Sequence, residues 1–133
     1  MASAAEPAPI AIGLMLCDQV IIDKDTNKPC LLGIFTGLAV EDFKESQRFS
    51  VFLTLTNGRG HVKLELICLR LDNGEPIYDQ TYNTVFPDPL TLVNVNIRVR
   101  SIRFPVPGSY DFLIRANGEL IAQRKIRVYS PHA

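Results

Sequence analysis

Along most of the chain apolar and polar residues alternate one for one, the period of a strand with one buried and one solvated face. The strictest run is Val93, Val95, Ile97 and Val99, interleaved with Asn94, Asn96, Arg98 and Arg100. Phe49, Val51, Leu53 and Leu55 repeat it against Ser50, Thr54 and Thr56, with Phe52 breaking the polar face. A third run sets Val62, Leu64 and Leu66 against Lys63 and Glu65, then shifts phase to Ile67, Leu69 and Leu71, as a β-bulge would make it do. Helical spacing is scarce, and only Glu41 to Arg48 leaves room for a helical turn. Turn formers separate the runs: Asp25-Thr26-Asn27-Lys28-Pro29, Asn57-Gly58-Arg59-Gly60, Asp72-Asn73-Gly74-Glu75-Pro76 and Asn117-Gly118. Phe86-Pro87-Asp88-Pro89 and Phe104-Pro105-Val106-Pro107-Gly108 read as stiff connectors, because proline cannot donate to a ladder. About eight strands follow, centred near residues 17, 34, 52, 66, 81, 97, 113 and 125. The pattern predicts an all-β, antiparallel sandwich as one domain over residues 10–130, after a flexible Ala/Pro-rich segment at 1–9.

Composition narrows the functional classes. With 133 residues, 47% of them apolar and 21% charged, the chain can build one core and is too apolar for disorder. Fourteen basic residues balance fourteen acidic ones, so bulk charge recruits neither nucleic acid nor an anionic membrane, and neither is expected as a partner. No apolar stretch nears the roughly 20 residues that cross a bilayer, and the first residues lack the cationic region of a secretory signal. Cys17, Cys30 and Cys68 are odd in number and flanked by aliphatic residues, which predicts reduced core thiols in a cytoplasmic protein. No C-x-x-C pair is present to hold zinc, and no metal or other cofactor is expected.

Pro107-Gly108-Ser109-Tyr110-Asp111-Phe112-Leu113-Ile114 resembles the entry to the penultimate strand of immunoglobulin-like and fibronectin-like sandwiches. The resemblance implies a tyrosine corner, with the Tyr110 ring in the core, its hydroxyl bonded to nearby backbone, and Gly108 in the turn before it. The order of Cys17 to Asp23, Lys28 to Phe35, Asn57 to Gly60, Phe86 to Leu90 and Pro107 to Phe112 is similar to a family of small, uncharacterised bacterial proteins, a domain of unknown function. That similarity implies a bacterial cytoplasmic protein and carries no activity with it.

Candidate chemistry is thin. Asp23, Asp25 and Asn27 alternate like the first ligands of a calcium loop, but Lys28 and Ile34 stand where glycine and a carboxylate are required, so a hairpin turn is the better reading. Asn57 to Gly60 lacks the following helix and Lys-Ser pair of a phosphate loop. His61 has no nucleophile motif to serve, so no catalytic residues, no enzyme and no small-molecule substrate are expected. Asp18, inside an apolar run, must be paired or exposed.

Charge distribution carries more. From Thr91 onward seven basic residues face two acids, a net of +5, and the preceding ninety residues carry −5. If the last three strands adjoin, Arg98, Arg100, Arg115 and Arg127 line one sheet face, with Arg103 beside them. Arginine suits bidentate carboxylate contacts and interfaces. The expected function is therefore a non-catalytic protein-binding or adaptor module that uses an Arg-rich sheet face. The alternatives are a self-assembling subunit of a larger assembly, or arginines balanced within the fold by neighbours such as Glu65 and Asp79.

Overall fold

A computed structural model describes residues 8–132. Residues 1–7, most of the segment expected to be flexible, lie outside the described residues. Nine strands follow in order: β1 (Ile10–Ile22), β2 (Pro29–Phe35), β3 (Gly37–Ala39), β4 (Gln47–Thr56), β5 (Gly60–Arg70), β6 (Pro76–Phe86), β7 (Val93–Ile102), β8 (Gly108–Ala116) and β9 (Glu119–Tyr129). They form a four-stranded sheet, β2-β1-β4-β7, and a five-stranded sheet, β3-β9-β8-β5-β6. Every pairing is antiparallel except β3 on β9.

All eight expected strands form, and the ninth is a piece of one of them. The run Cys30 to Leu38 breaks at Thr36, where the chain leaves the four-stranded sheet and β3 joins the other. Arg127 N donates to Thr36 O at 3.1 Å and Val40 N to Tyr129 O at 2.9 Å, which fixes the crossing. Glu41 to Arg48 is a turn rather than a helix, since Asp42 Oδ1 accepts from Lys44 N at 2.9 Å and its carbonyl from Glu45 N at 3.0 Å. A short carboxylate that bonds backbone two residues on closes a turn more readily than it starts a helix.

The expected phase shift in β5 does not occur at Ile67. Val62, Leu64, Leu66 and Cys68 stay on the core side, and Ile67 points outward opposite Leu113. The irregularity falls later, between Cys68 and Leu69 on the β6 side. A bulge that sequence reading does not find sits at Gly13, whose φ of 72° absorbs one extra residue between Ile12 and Leu14. It brings Leu14 and Leu16 onto the core side.

The core lies between the two sheets. Phe35 meets Phe49 edge-on at 5.4 Å, and Phe49 meets Phe112 at 5.8 Å, so a chain of rings ties β2 and β4 to β8 across the sandwich. Fully buried side chains such as Leu16, Leu64, Ile97 and Ile126 each contribute about 1.5–3 kcal/mol. At the crossing from β7 to β8, Tyr110 is fully buried and its hydroxyl donates to Val106 O at 2.6 Å, while its ring packs edge-on to Phe104 at 4.9 Å. Gly108 stands just before it with φ of 147°, a conformation L side chains rarely adopt. Two packed sheets with this tyrosine corner make an immunoglobulin-like β-sandwich.

Candidate contact surface

In an antiparallel pair, directly opposed residues point to the same face. Cys17 opposes both Ile34 and Ser50, and Ser50 opposes Arg98, so one row runs Ile34–Cys17–Ser50–Arg98 across the outward side of the four-stranded sheet. β1 and β4 part after the Cys17–Ser50 pair. A concavity of about 410 Å³ opens there, lined by Arg48, Arg98, Arg100, Asp18, Gln19 and Ser50 among others. Arg48 is set by the irregular step between Gln47 and Phe49, where β4 loses register with β7. Among the described residues, ion pairs within 4.0 Å join only Arg70 to Asp72 and His132 to Glu41. The three guanidiniums thus lack a paired carboxylate. Asp18, the one acid of the lining, is exposed and lies over Gly33, where a Cβ would come within 2.2 Å of its Oδ2.

The five arginines singled out from sequence do not share a face. β7 pairs with β4 and not with β8, because the connector through Pro105 and Pro107 carries the chain to the other sheet. Arg98 and Arg100 therefore belong to the four-stranded sheet, Arg115 and Arg127 to the five-stranded one, and Arg103 to the connector. Arg115 stands directly opposite Glu65, the intramolecular balance anticipated as the alternative. Arg127 lies opposite Ser109 and Gly37. Sequence reading missed Arg48, because nothing local signals that the start of β4 faces the middle of β7.

Other candidates resolve into structure. Asp23 Oδ1 accepts from Asp25 N at 2.8 Å and Thr26 N at 3.2 Å, and Asn27 has φ of 59°, so these residues build the β1–β2 hairpin turn. Gly58 is required because the Phe86 ring lies 2.4 Å from where its Cβ would be. Cys17 and Cys68 are buried, and burial pushes both thiols above their ordinary pKa. Cys30, expected in the core, is exposed instead, on an edge strand and opposite the outward Ile21. His61 is exposed. Among the described residues no three His, Cys, Asp or Glu side chains cluster as metal ligands, and no helix is long and apolar enough to cross a membrane.

A family model described as a family of unknown function, DUF6941, matches residues 13–129, nearly the whole sandwich. The chain belongs to the DUF6941 family. Among curated proteins none matches this DUF6941 member. Among solved structures it is similar to the alkylpurine DNA glycosylase AlkC of Pseudomonas fluorescens bound to DNA containing an abasic site analog, at 11% identity and a TM-score of 0.55. That likeness covers 92% of this chain and only 31% of the glycosylase, and it shows the fold alone. An immunoglobulin-like protein of Pseudomonas aeruginosa is similar over 94% of this chain and 99% of its own, at 14% identity and a TM-score of 0.42.

Proposed function

We propose that this DUF6941 member is a non-catalytic protein-binding module, acting in a reducing compartment such as the cytoplasm, that engages an acidic surface of its partner through Arg48, Arg98 and Arg100. The observation that carries the reading is the grouping of three arginines around one concavity with no carboxylate of the described residues at ion-pair distance. Three like charges held around one concavity repel, and the single acid of the lining, Asp18, does not close on any of them, so a partner carboxylate relieves that cost while gaining bidentate hydrogen bonds. Arg115 and Arg127 are outside this surface. The free thiols support the compartment.

The test replaces Arg98 and Arg100 with glutamate and compares cellular proteins retained in a pull-down with those retained by the unaltered chain. Loss of specific partners is expected, and unchanged retention sinks the reading. The glycosylase neighbour is bound to DNA, so a duplex DNA probe is run in parallel. DNA bound by the unaltered chain and released by the double variant would replace the acidic protein with nucleic acid. Light scattering at low and high salt checks the self-assembling alternative, which requires salt-sensitive oligomers.

A further inference from the structure

β1 and β2 have the composition of strands covered on both sides. The stretches Leu14 to Cys17, Val20 to Ile22 and Cys30 to Phe35 are almost continuously apolar, as in sheets sandwiched between two layers. Among the described residues only the core side is covered. On the outward side Ile10, Ile12 and Ile21 of β1 and Leu32 and Ile34 of β2 are 42–54% exposed. Met15 opposes Phe52, both half-buried, and together they bridge this apolar area to β4. The same face then runs through Ser50 to Arg98 and the arginine concavity. By strand alternation no outward position of β1, β2, β4 or β7 carries a carboxylate.

We infer that this outward face is one continuous docking surface for a segment of a partner protein that bears aliphatic or aromatic side chains and ends in carboxylates. The apolar residues lie on β1 and β2, and the acidic end enters the concavity beside β7. The inference rests on the arginine reading above for its charged end and adds the apolar part and the order of the two. Four strands about 4.8 Å apart and roughly ten residues long give a face of roughly 600 Å². That approaches the area of about 800 Å² that one side of a standard protein interface covers. Charge selects among occupants. A second copy presenting the same face brings three more arginines against a single carboxylate, Asp18, as a symmetric interface must. A bilayer favours cations spread along the polar margin of an apolar patch at headgroup level, whereas here they gather at one end, beyond the neutral Thr54, Asn94 and Asn96 of β4 and β7.

The test uses the whole protein and a displayed library of random linear peptides, counter-selected against the empty support. Enriched peptides are expected to combine Leu, Ile or Phe with Asp or Glu toward one end. Binding of a consensus peptide should fall roughly tenfold or more in Ile34→Glu, in Leu32→Glu and in Arg98→Glu, the scale of a central contact. Ile34 and Leu32 are exposed, and thermal unfolding followed by circular dichroism verifies that each variant folds. Leu32→Gln serves if either glutamate variant does not. No enrichment over the counter-selection overturns the inference. Loss with Arg98→Glu alone overturns the apolar part and leaves the arginine reading standing. Loss with Ile34→Glu and Leu32→Glu alone removes the arginine reading and this inference with it. Capture of anionic phospholipid vesicles in place of peptides, or a concentration-dependent dimer broken by Ile34→Glu, assigns the face to a membrane or a second copy and equally overturns it.

Discussion

The two outward faces of this sandwich treat charge differently. On the five-stranded sheet Glu65 stands opposite Arg115 and Asp111 opposite Lys125, and Gln123 Nε2 donates to Asp111 Oδ2 at 2.6 Å. On the four-stranded sheet the outward row ends in arginines with nothing acidic across from them, and its other half is exposed aliphatic surface. The first face sets opposite charges across from each other on neighbouring strands, although neither pair closes to within 4.0 Å. The second has no such opposed pair. The acidic and basic parts of the sequence therefore meet across the strands of one sheet, at Glu65 and Arg115, and do not meet in the pairing of β4 with β7.

The contrast presupposes a core that both faces share, and the largest effect comes from breaking it. Phe112→Ala removes the ring that Phe49 packs against and should cost about 3–5 kcal/mol in urea unfolding, with both sheets lost in one transition. Separate transitions for the two sheets would contradict the shared core. Asp111→Ala on the five-stranded face loses one hydrogen bond to Gln123, an exposed residue whose amide regains water, and should cost about 0.5–1.5 kcal/mol, measured the same way.

Alkaline pH acts on the shared core. Burial raises the Cys68 thiol above its ordinary value of 9.0, so the folded chain holds a proton that the unfolded chain releases. Stability is full below pH 9 and falls above it, by about 1.4 kcal/mol per pH unit for one such thiol. Cys68→Ala should flatten that part of the pH profile, and an unchanged slope would remove the thiol as its cause.

Surface charges give the smallest changes and the sharpest contrast. Glu65→Arg sets like charges opposite each other and should lose about 0.2–1 kcal/mol, recovered when Arg115→Glu is added. Arg98→Glu should leave stability within about 0.5 kcal/mol, since no internal partner is lost. Equal destabilisation by the two single changes would erase the difference between the faces.

Much of the fold is legible in the chain because it rests on local rules. Alternation in Val93 to Arg100 and the turn formers at Asn57 and Asn117 fix strands and hairpins, and Pro107-Gly108 ahead of Tyr110 marks the corner. What escapes is set at long range. β3 exists only because β9 lies beside it, and the bulge at Gly13 cannot be told from a continuous apolar run. The pairing of β7 with β4 decides which arginines meet, and sequence order pointed to β8 instead. Phe52, an apolar residue on a polar face, was the visible trace of the exposed surface. The same holds for β1 and β2, whose two-sided apolar pattern reads as burial, while among the described residues nothing lies over their outward side.

The most direct measurement follows the side-chain Nε–H resonances of the arginines by NMR while a polyglutamate peptide is added. Arg48, Arg98 and Arg100 should shift together along one saturation curve at moderate salt, and Arg115, opposite Glu65, should stay in place. Uniform shifts across all arginines, or a larger response at Arg115 than at Arg98 and Arg100, would contradict an unanswered cationic site on the four-stranded sheet.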